Sequence, residues 1–125
     1  MVKTKFQIEK NIKRREFEVV DARSKNRFLG LESESRPNVK SGSIEGSVCL
    51  PFSECINQKD NTFLNKKILN EKFKSIGIDN NNKDAVFTCG SSVTASVLGV
   101  AYSLINNNYM PKIYIGSWSE FGKNN

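Results

Sequence analysis

Short apolar runs along this chain have the lengths and the alternation that are typical of β-strands. Polar or turn-forming residues bound each run, so each run predicts one short strand. The predicted strands cover residues 17–21, 47–50, 84–88 and 112–115. The second of them stops at Pro51, whose ring nitrogen cannot donate a ladder hydrogen bond.

Other segments repeat apolar residues at the three- and four-residue spacing of a helix. Residues 65–76 follow this spacing, and Gly77 comes next as a natural C-terminal cap. A second, largely apolar helix is predicted over 93–105, and a charged helix over part of 4–15. Residues 26–45 are polar and are typical of a long loop. Strands that alternate with helices favour an α/β fold with a mostly parallel central sheet and helices on both faces.

The length of 125 residues suits one domain with a real core. The longest apolar stretch, around 97–105, is too short and too interrupted to span a bilayer. The first ten residues lack the apolar region of a secretory signal. We therefore expect no membrane partner, and a cytoplasmic location or, in a eukaryote, a mitochondrial one.

Basic residues are concentrated at the start of the chain. Residues 1–15 hold six lysines and arginines and one acidic residue, a net charge of +5, whereas the whole chain carries +6. A basic arm of this kind can contact nucleic acid or an acidic partner. A solvated helix face explains it more simply, because no aromatic interleaving or nucleic-acid motif accompanies the charge. We therefore predict no nucleic-acid partner.

The cysteine and histidine content limits the chemistry. Cys49, Cys55 and Cys89 are odd in number and form no C-x-x-C pair, which favours free thiols in a reducing compartment. Histidine is absent, so Cys–His catalysis within this chain is excluded and a zinc site is improbable. Cys49 and Cys55 have apolar neighbours and are predicted to be structural, with a relay thiol at Cys55 as the open alternative.

Cys89 occupies the point where the predicted strand 84–88 gives way to the predicted helix 93–105. A tight loop of small residues, 90–92, separates the two and can turn its backbone N–H groups toward the sulfur. The positive N-terminal end of the helix also favours an anion there. Both effects favour the thiolate form, so we expect Cys89 to be a nucleophile. Its place at the carboxyl end of a parallel strand is where α/β sheets bind ligands.

Several short blocks then carry a resemblance to a known family. In chain order they are Asp21-Ala22-Arg23-Ser24, Asn26-Arg27-Phe28, Ser41-Gly42-Ser43-Ile44-Glu45-Gly46-Ser47, Leu50-Pro51-Phe52, Cys89-Gly90-Ser91-Ser92-Val93-Thr94-Ala95 and Gly116-Ser117-Trp118-Ser119-Glu120-Phe121. As an ordered set, they resemble the catalytic, C-terminal rhodanese domain of the two-domain thiosulfate/3-mercaptopyruvate sulfurtransferases. The resemblance implies a rhodanese-like three-layer fold over 17–122, preceded by a basic helical segment, 1–16, and followed by a tail, 123–125.

The resemblance also implies a reaction. A small anionic sulfur donor leaves a persulfide on Cys89, and the sulfur then passes to cyanide or to a thiol, such as thioredoxin or a small thiol. The loop N–H groups stabilise the thiolate and the persulfide, and no cofactor takes part.

Within the family, Gly90-Ser91 resembles the enzymes that use 3-mercaptopyruvate rather than thiosulfate. Two arginines of the polar loop then correspond to a clamp for the donor carboxylate, a role suited to the bidentate guanidinium. Arg23 ranks below them because its neighbour Asp21 suggests a structural pair. The residues implied to bind the donor are Arg27, Arg36, Gly90, Ser91, Ser92, Val93 and Thr94.

Two further readings stay open. The loop and rim residues Ser92, Ser43 and Ile115 depart from the family pattern, which favours a rhodanese-like module that binds or regulates a partner without turnover. The family active site lies between two domains, so a second rhodanese domain or a homo-oligomer is an expected partner. A cysteine phosphatase is set aside, because no arginine follows Cys89 to close a Cys-x5-Arg loop.

Overall fold

Five short parallel strands make the central sheet of this protein. A computed structural model describes residues 2–34, 38–78, 84–90, 93–106 and 109–123. The strands are β1 (Val2–Lys3), β2 (Glu18–Asp21), β3 (Val48–Cys49), β4 (Ala85–Thr88) and β5 (Ile113–Tyr114). They follow the order β1-β5-β4-β2-β3, and every pairing between neighbours is parallel. β4 therefore lies at the centre of the sheet.

Helices cover both faces of this sheet. They are α1 (Lys5–Arg14), α2 (Lys25–Phe28), α3 (Lys66–Ser75), α4 (Val93–Ile105) and α5 (Ser117–Phe121), with a 3₁₀ turn at Phe52–Cys55. One core cluster joins α3 and α4 to the sheet, and a second joins α1 and α5 to it. Adjacent strand residues such as Val86 and Phe87 belong to opposite clusters, as the two-residue period of a strand requires. The predicted three-layer α/β fold is confirmed.

The end of α1 shows how local polar groups set the chain direction. Asn11 is only 6% exposed, and its Nδ2 donates to the Phe17 carbonyl at 2.7 Å. Its Oδ1 accepts from the backbone N–H groups of Glu16 and Phe17 at 2.7 and 3.1 Å. A single side chain therefore satisfies the backbone groups of the turn that leads from α1 into β2.

The long helices match their predicted bounds closely. α4 covers the predicted residues 93–105, and α3 begins and ends one residue inside the predicted 65–76. Asn65 caps α3 by accepting from the Ile68 N–H at 3.0 Å. Gly77 follows the helix with φ of +86°, a conformation that glycine adopts without strain.

Two short helices lie where none was predicted. The polar stretch 26–45 was predicted as a loop throughout, but α2 overlaps its start, and the Ser24 hydroxyl accepts from the Arg27 N–H at 3.4 Å. α5 occupies the segment after the last strand. Both helices are too short for their apolar spacing to be recognised in the sequence.

The N-terminal segment is part of the sheet and of the core. Residues 1–16 were predicted as a helical segment in front of the domain, and α1 confirms the helix. However, β1 pairs with β5, and Ile8 of α1 is fully buried in one of the two core clusters. At the other end, Lys123 of the predicted tail forms an antiparallel bridge with Val39. The first and the last of the described residues are therefore both paired with other parts of the fold.

Candidate functional site

Cys89 lies directly after the central strand, at the carboxyl edge of the sheet. The register places Asp21 beside Thr88 and also beside Cys49, so β2, β3 and β4 end at the same level. Cys89 follows β4, and α4 begins four residues later. The predicted strand before Cys89 and the predicted helix after it are confirmed, whereas residues 91 and 92 of the predicted turn lie outside the described residues. The Cys89 residue is only 2% exposed.

The start of α5 holds Cys89 in place. The Cys89 N–H donates to the Ser117 Oγ at 3.2 Å, and the Ser117 hydroxyl donates to the Tyr114 carbonyl at 2.9 Å. The same Oγ lies 4.0 Å from the Cys89 Sγ. The Trp118 N–H donates to the Cys89 carbonyl at 2.8 Å, and the Ser119 N–H donates to the Gly90 carbonyl at 3.1 Å. Backbone and side-chain groups of α5 therefore fix both ends of the Cys89–Gly90 peptide.

Ser117 adopts a conformation that is uncommon for a residue with a side chain. It is fully buried, and its φ is +54°. Strain of this kind costs about 1–3 kcal/mol and is often found at functional sites. A Cβ on the preceding Gly116 would displace the Glu120 carboxylate and press on the Tyr114 ring, which lies 2.9 Å from the Cβ position. The sequence placed Gly116-Ser117 only at the pocket rim, and its sole signal was the short Gly-Ser-Trp block after the last strand.

Arg23 is enclosed in a buried network of carboxylates and carbonyls. Its Nε and Nη2 donate to the Asp21 carboxylate at 2.7–3.1 Å, and its Nη1 donates to Glu34 at 3.2 Å. Nη2 also donates to the Gly42 carbonyl at 2.6 Å, and the guanidinium lies 5.1 Å from the Trp118 ring centre. The three side chains of this ion-pair network are at most 4% exposed. Arg23 therefore has the structural pairing with Asp21 that the sequence suggested.

This network connects the polar loop to Cys89. Arg23 joins the end of β2 to residues 34 and 42 of the loop, and it contacts the Trp118 ring. The Trp118 Nε1 donates to the Lys40 carbonyl at 2.7 Å, and its backbone N–H holds the Cys89 carbonyl. The loop and the Cys89 turn are thus fixed to the same tryptophan.

Of the two arginines predicted to bind the donor, Arg27 lies within the described residues and Arg36 does not. Arg27 lies on α2, which begins four residues after β2 ends. Its Nε donates to the Glu32 carboxylate at 3.1 Å, and the two side chains are 35% and 52% exposed. Such an exposed pair contributes little stability, so a ligand carboxylate can replace Glu32. Arg36 lies outside the described residues.

Only some of the donor-binding residues predicted between positions 90 and 94 lie within the described part of the chain. Gly90 is partly buried, and Thr94 lies partly buried in the first turn of α4. Ser91 and Ser92 lie outside the described residues, and of Val93 only the start of α4 is described. Their roles toward a donor stay predictions.

Burial of the other two cysteines disfavours the thiolate form of their side chains. Burial raises the pKa of the Cys55 thiol to about 11, and this residue is fully buried in the core. Burial, aided by the nearby Asp21 carboxylate, raises the pKa of Cys49 to about 11 as well. The Cys49 thiol donates to the Arg23 carbonyl at 3.4 Å. Both thiols are therefore poor nucleophiles near neutral pH.

The described ranges contain no group of three or more histidine, cysteine or acidic side chains that could hold a metal ion. Among the helices within those ranges, none is both long enough and apolar enough to cross a membrane.

Comparison with known proteins identifies relatives along most of the chain. The thiosulfate/3-mercaptopyruvate sulfurtransferase 1, mitochondrial, of Arabidopsis thaliana is 35% identical over 123 residues, 97% of this chain and 31% of its own length. The human 3-mercaptopyruvate sulfurtransferase is 35% identical over 120 residues, 96% of this chain and 39% of its own length. The chain therefore spans about a third of the length of these relatives.

Solved structures show the same fold. The yeast mitochondrial complex I sub-stoichiometric sulfur transferase subunit superposes with a TM-score of 0.83 at 29% identity, over 96% of this chain and 42% of its own. SseA of Escherichia coli, described as a 3-mercaptopyruvate sulfotransferase, superposes with a TM-score of 0.76 at 26% identity, over 95% and 42%. A family model described as the rhodanese-like domain matches residues 5–124. With that match, and with Cys89 at the strand–helix turn of a parallel sheet, the chain belongs to the rhodanese-like domain family.

Proposed function

We propose that this domain transfers a sulfane sulfur through a persulfide on Cys89. The observation that supports this most is the position of Cys89 between the central strand and the 13-residue helix α4. The N-terminus of such a helix favours negative charge, first on the thiolate and then on the persulfide. Ser117 and α5 fix the backbone on the other side of the sulfur.

The reaction has two displacement steps. The Cys89 thiolate attacks the sulfur of the donor, and a new S–S bond forms. With 3-mercaptopyruvate, the C–S bond breaks, and its electron pair stays on carbon as the enolate of pyruvate, which takes up a proton. With thiosulfate, the S–S bond breaks and sulfite leaves. In the second step, an acceptor thiolate or cyanide attacks the outer sulfur, and Cys89 returns as thiolate.

The preferred donor in this proposal is 3-mercaptopyruvate, whose carboxylate would be held by Arg27 and Arg36. A guanidinium forms paired hydrogen bonds to a carboxylate, and these are about twice as strong as neutral ones. Arg27 has an exposed acidic partner, Glu32, that a ligand can displace. The backbone of residues 90–94, in the turn and the first part of α4, would bind the reacting sulfur.

Acceptor and partner follow from the same chemistry. A thiol acceptor such as thioredoxin or a small thiol would take the sulfur, in a compartment that keeps the three cysteines reduced. The first relatives are more than twice as long as this chain, so a second rhodanese domain or another copy of this chain is a proposed partner at the Cys89 edge.

A module that binds or regulates a partner without turnover is the second candidate. The observation that favours it is the exposure of Ile115, the residue directly before the Gly116-Ser117 turn, which is 53% exposed. The Ile115 side chain offers a small anion neither a positive charge nor a hydrogen-bond donor at that rim.

Turnover measurements separate the two candidates. The wild-type protein is incubated with 3-mercaptopyruvate or thiosulfate and an acceptor, and pyruvate or thiocyanate is quantified. We expect turnover that Cys89→Ser abolishes and Cys49→Ala retains. Absence of turnover with both donors, together with iodoacetamide alkylation of Cys89 no faster than that of a free thiol, would favour the binding module.

A further inference from the structure

A groove lies along α1, and its lining includes no residue of the Cys89 turn or of α5. It encloses about 170 Å³ and is lined by Lys3, Gln7, Lys10, Asn11, Arg14, Glu16 and Phe17. Cofactor and drug-sized pockets occupy about 300–1,000 Å³, so this groove is too small for such a ligand. It has room for a few side chains of another protein.

The groove is strongly cationic. Lys3, Lys10 and Arg14 contribute three positive charges, and Glu16 is the one carboxylate in the lining. Glu16 lies 3.8 Å from Arg14, and both side chains are more than half exposed, at 66% and 61%. A pair this exposed contributes about 0–1 kcal/mol, so an incoming carboxylate can replace Glu16 at little cost.

Two other charged residues of α1, Glu9 and Lys5, lie near β5 and α5. Glu9 is the one acidic residue of the helix. Burial is the main cause of the raised pKa of the Tyr114 phenol, Glu120 is the second, and the nearby Glu9 carboxylate adds a smaller increase. The Lys5 ammonium lies over the Phe121 ring of α5, 5.9 Å from its centre. Near β5 and α5, α1 therefore carries one acid and one cation, whereas its two charged groove residues, Lys10 and Arg14, are both cations.

Aromatic rings accompany these cations. The Lys3 ammonium lies 5.0 Å from the ring centre of Phe17, a groove residue. The Lys10 ammonium lies 4.8 Å from the ring centre of Phe6, which is 65% exposed. Aromatic residues are enriched in protein interfaces, so the exposed Phe6 ring offers a partner a surface to pack against.

We propose that this groove docks an acidic, extended segment of a partner protein. Lys10 and Arg14 are four residues apart on one helix face, about 6 Å along the axis. Alternate residues of an extended chain point the same way and are about 6.6 Å apart. Acidic side chains at alternate positions of such a segment therefore match the two cations, and complementary charge speeds association.

The number of cations argues against a nucleic acid. Affinity for duplex DNA comes largely from neutralised phosphates, about 6–10 in a well-charged interface, whereas the groove offers three cations beside a carboxylate. A short acidic segment needs only two or three partners.

Fluorescence anisotropy of the full chain with a labelled peptide of alternating glutamate and serine tests the proposal. The charge reversal Lys10→Glu/Arg14→Glu is compared with Lys67→Glu/Lys74→Glu, two exposed residues of α3 on the opposite face of the sheet. Both variants lower the net charge of +6 by the same amount. We expect the groove variant to bind about tenfold more weakly and the α3 variant to change less than about twofold.

Three results would overturn the proposal. They are binding no tighter than that of a lysine–serine peptide, an equal loss in both variants, and tighter binding of a single-stranded oligonucleotide or of phosphatidylserine vesicles at the same salt. Circular dichroism checks that each variant folds. The milder Lys10→Gln/Arg14→Gln repeats the comparison with an expected loss of about threefold; no loss in this variant would also contradict the proposal.

Discussion

The Cys89 N–H donates a hydrogen bond to the Ser117 Oγ at 3.2 Å, across 28 residues of chain. The bond joins the end of the central strand to the first residue of α5. Ser117 is buried, strained at φ of +54°, and 4.0 Å from the sulfur. The same contact therefore serves the fold and positions the proposed nucleophile.

Replacing Ser117 tests this relationship. Ser117→Ala leaves the Cys89 N–H without its acceptor, and we expect a loss of about 1–3 kcal/mol in the free energy of unfolding. Ser117→Gly removes the same hydroxyl but relieves the positive φ, so it should be about 1 kcal/mol more stable than Ser117→Ala. Urea unfolding followed by the fluorescence of Trp118, the single tryptophan, measures both. An alanine variant as stable as wild type would contradict the role assigned to Ser117.

Arg23 is expected to be essential for stability rather than for donor binding. Arg23→Met leaves the Asp21 and Glu34 carboxylates buried without a counter-charge, which costs about 3–5 kcal/mol. The matched variant Arg27→Met breaks only an exposed pair and should cost less than about 1 kcal/mol. Thermal unfolding of both variants checks the difference. Equal melting temperatures would show that the buried network is not needed.

Arg27 is expected to act on the carboxylate of the donor. Arg27→Lys keeps the charge but loses the paired hydrogen bonds, so we expect KM for 3-mercaptopyruvate to rise about tenfold, with kcat within about twofold. Thiosulfate has no carboxylate, and its KM should change less. Arg14→Lys, the same substitution on α1, is the control. A fall in kcat with an unchanged KM would assign Arg27 to another step.

The raised pKa values of the two structural thiols, Cys49 and Cys55, predict that the free energy of unfolding depends on pH. The pKa of Cys49 and of Cys55 is about 11 in the folded protein, against an ordinary value of 9.0. Between these values, the folded state holds more protons than the unfolded state. Stability therefore falls as the pH rises from about 9 to 11. Unfolding in urea at pH 8 and pH 10.5 should show a smaller fall for Cys49→Ala/Cys55→Ala than for wild type. Equal falls would contradict the raised values.

Long, regular elements of this fold could be predicted from the sequence because their signals are local. α3 and α4 have apolar residues at helical spacing, and their bounds agree with the prediction to within one residue. β1 was missed because two residues form no pattern, and Val2 and Lys3 become a strand only by pairing with β5. The short helix α2 likewise has a cap but no periodicity.

The candidate site likewise contains features that the sequence could predict and features that depend on the folded chain. Cys89 could be identified because a strand, small residues and a helix follow one another in the chain. The contact with Ser117 could not, since it depends on how α5 folds back over 28 residues. Asp21 and Arg23 are close in sequence and were recognised as a pair, whereas Glu34 joins them only through the path of the loop.

Mass spectrometry of the Cys89 peptide tests the central claim most directly. The protein is reduced, incubated with 3-mercaptopyruvate or thiosulfate without an acceptor, and then digested under non-reducing conditions. We expect a mass gain of about 32 Da, one sulfur atom, on Cys89 and not on Cys49 or Cys55, and its loss when a thiol acceptor is added. Cys49→Ala should keep the gain. An unmodified Cys89 with both donors, while Trp118 fluorescence shows a folded protein, would contradict the account.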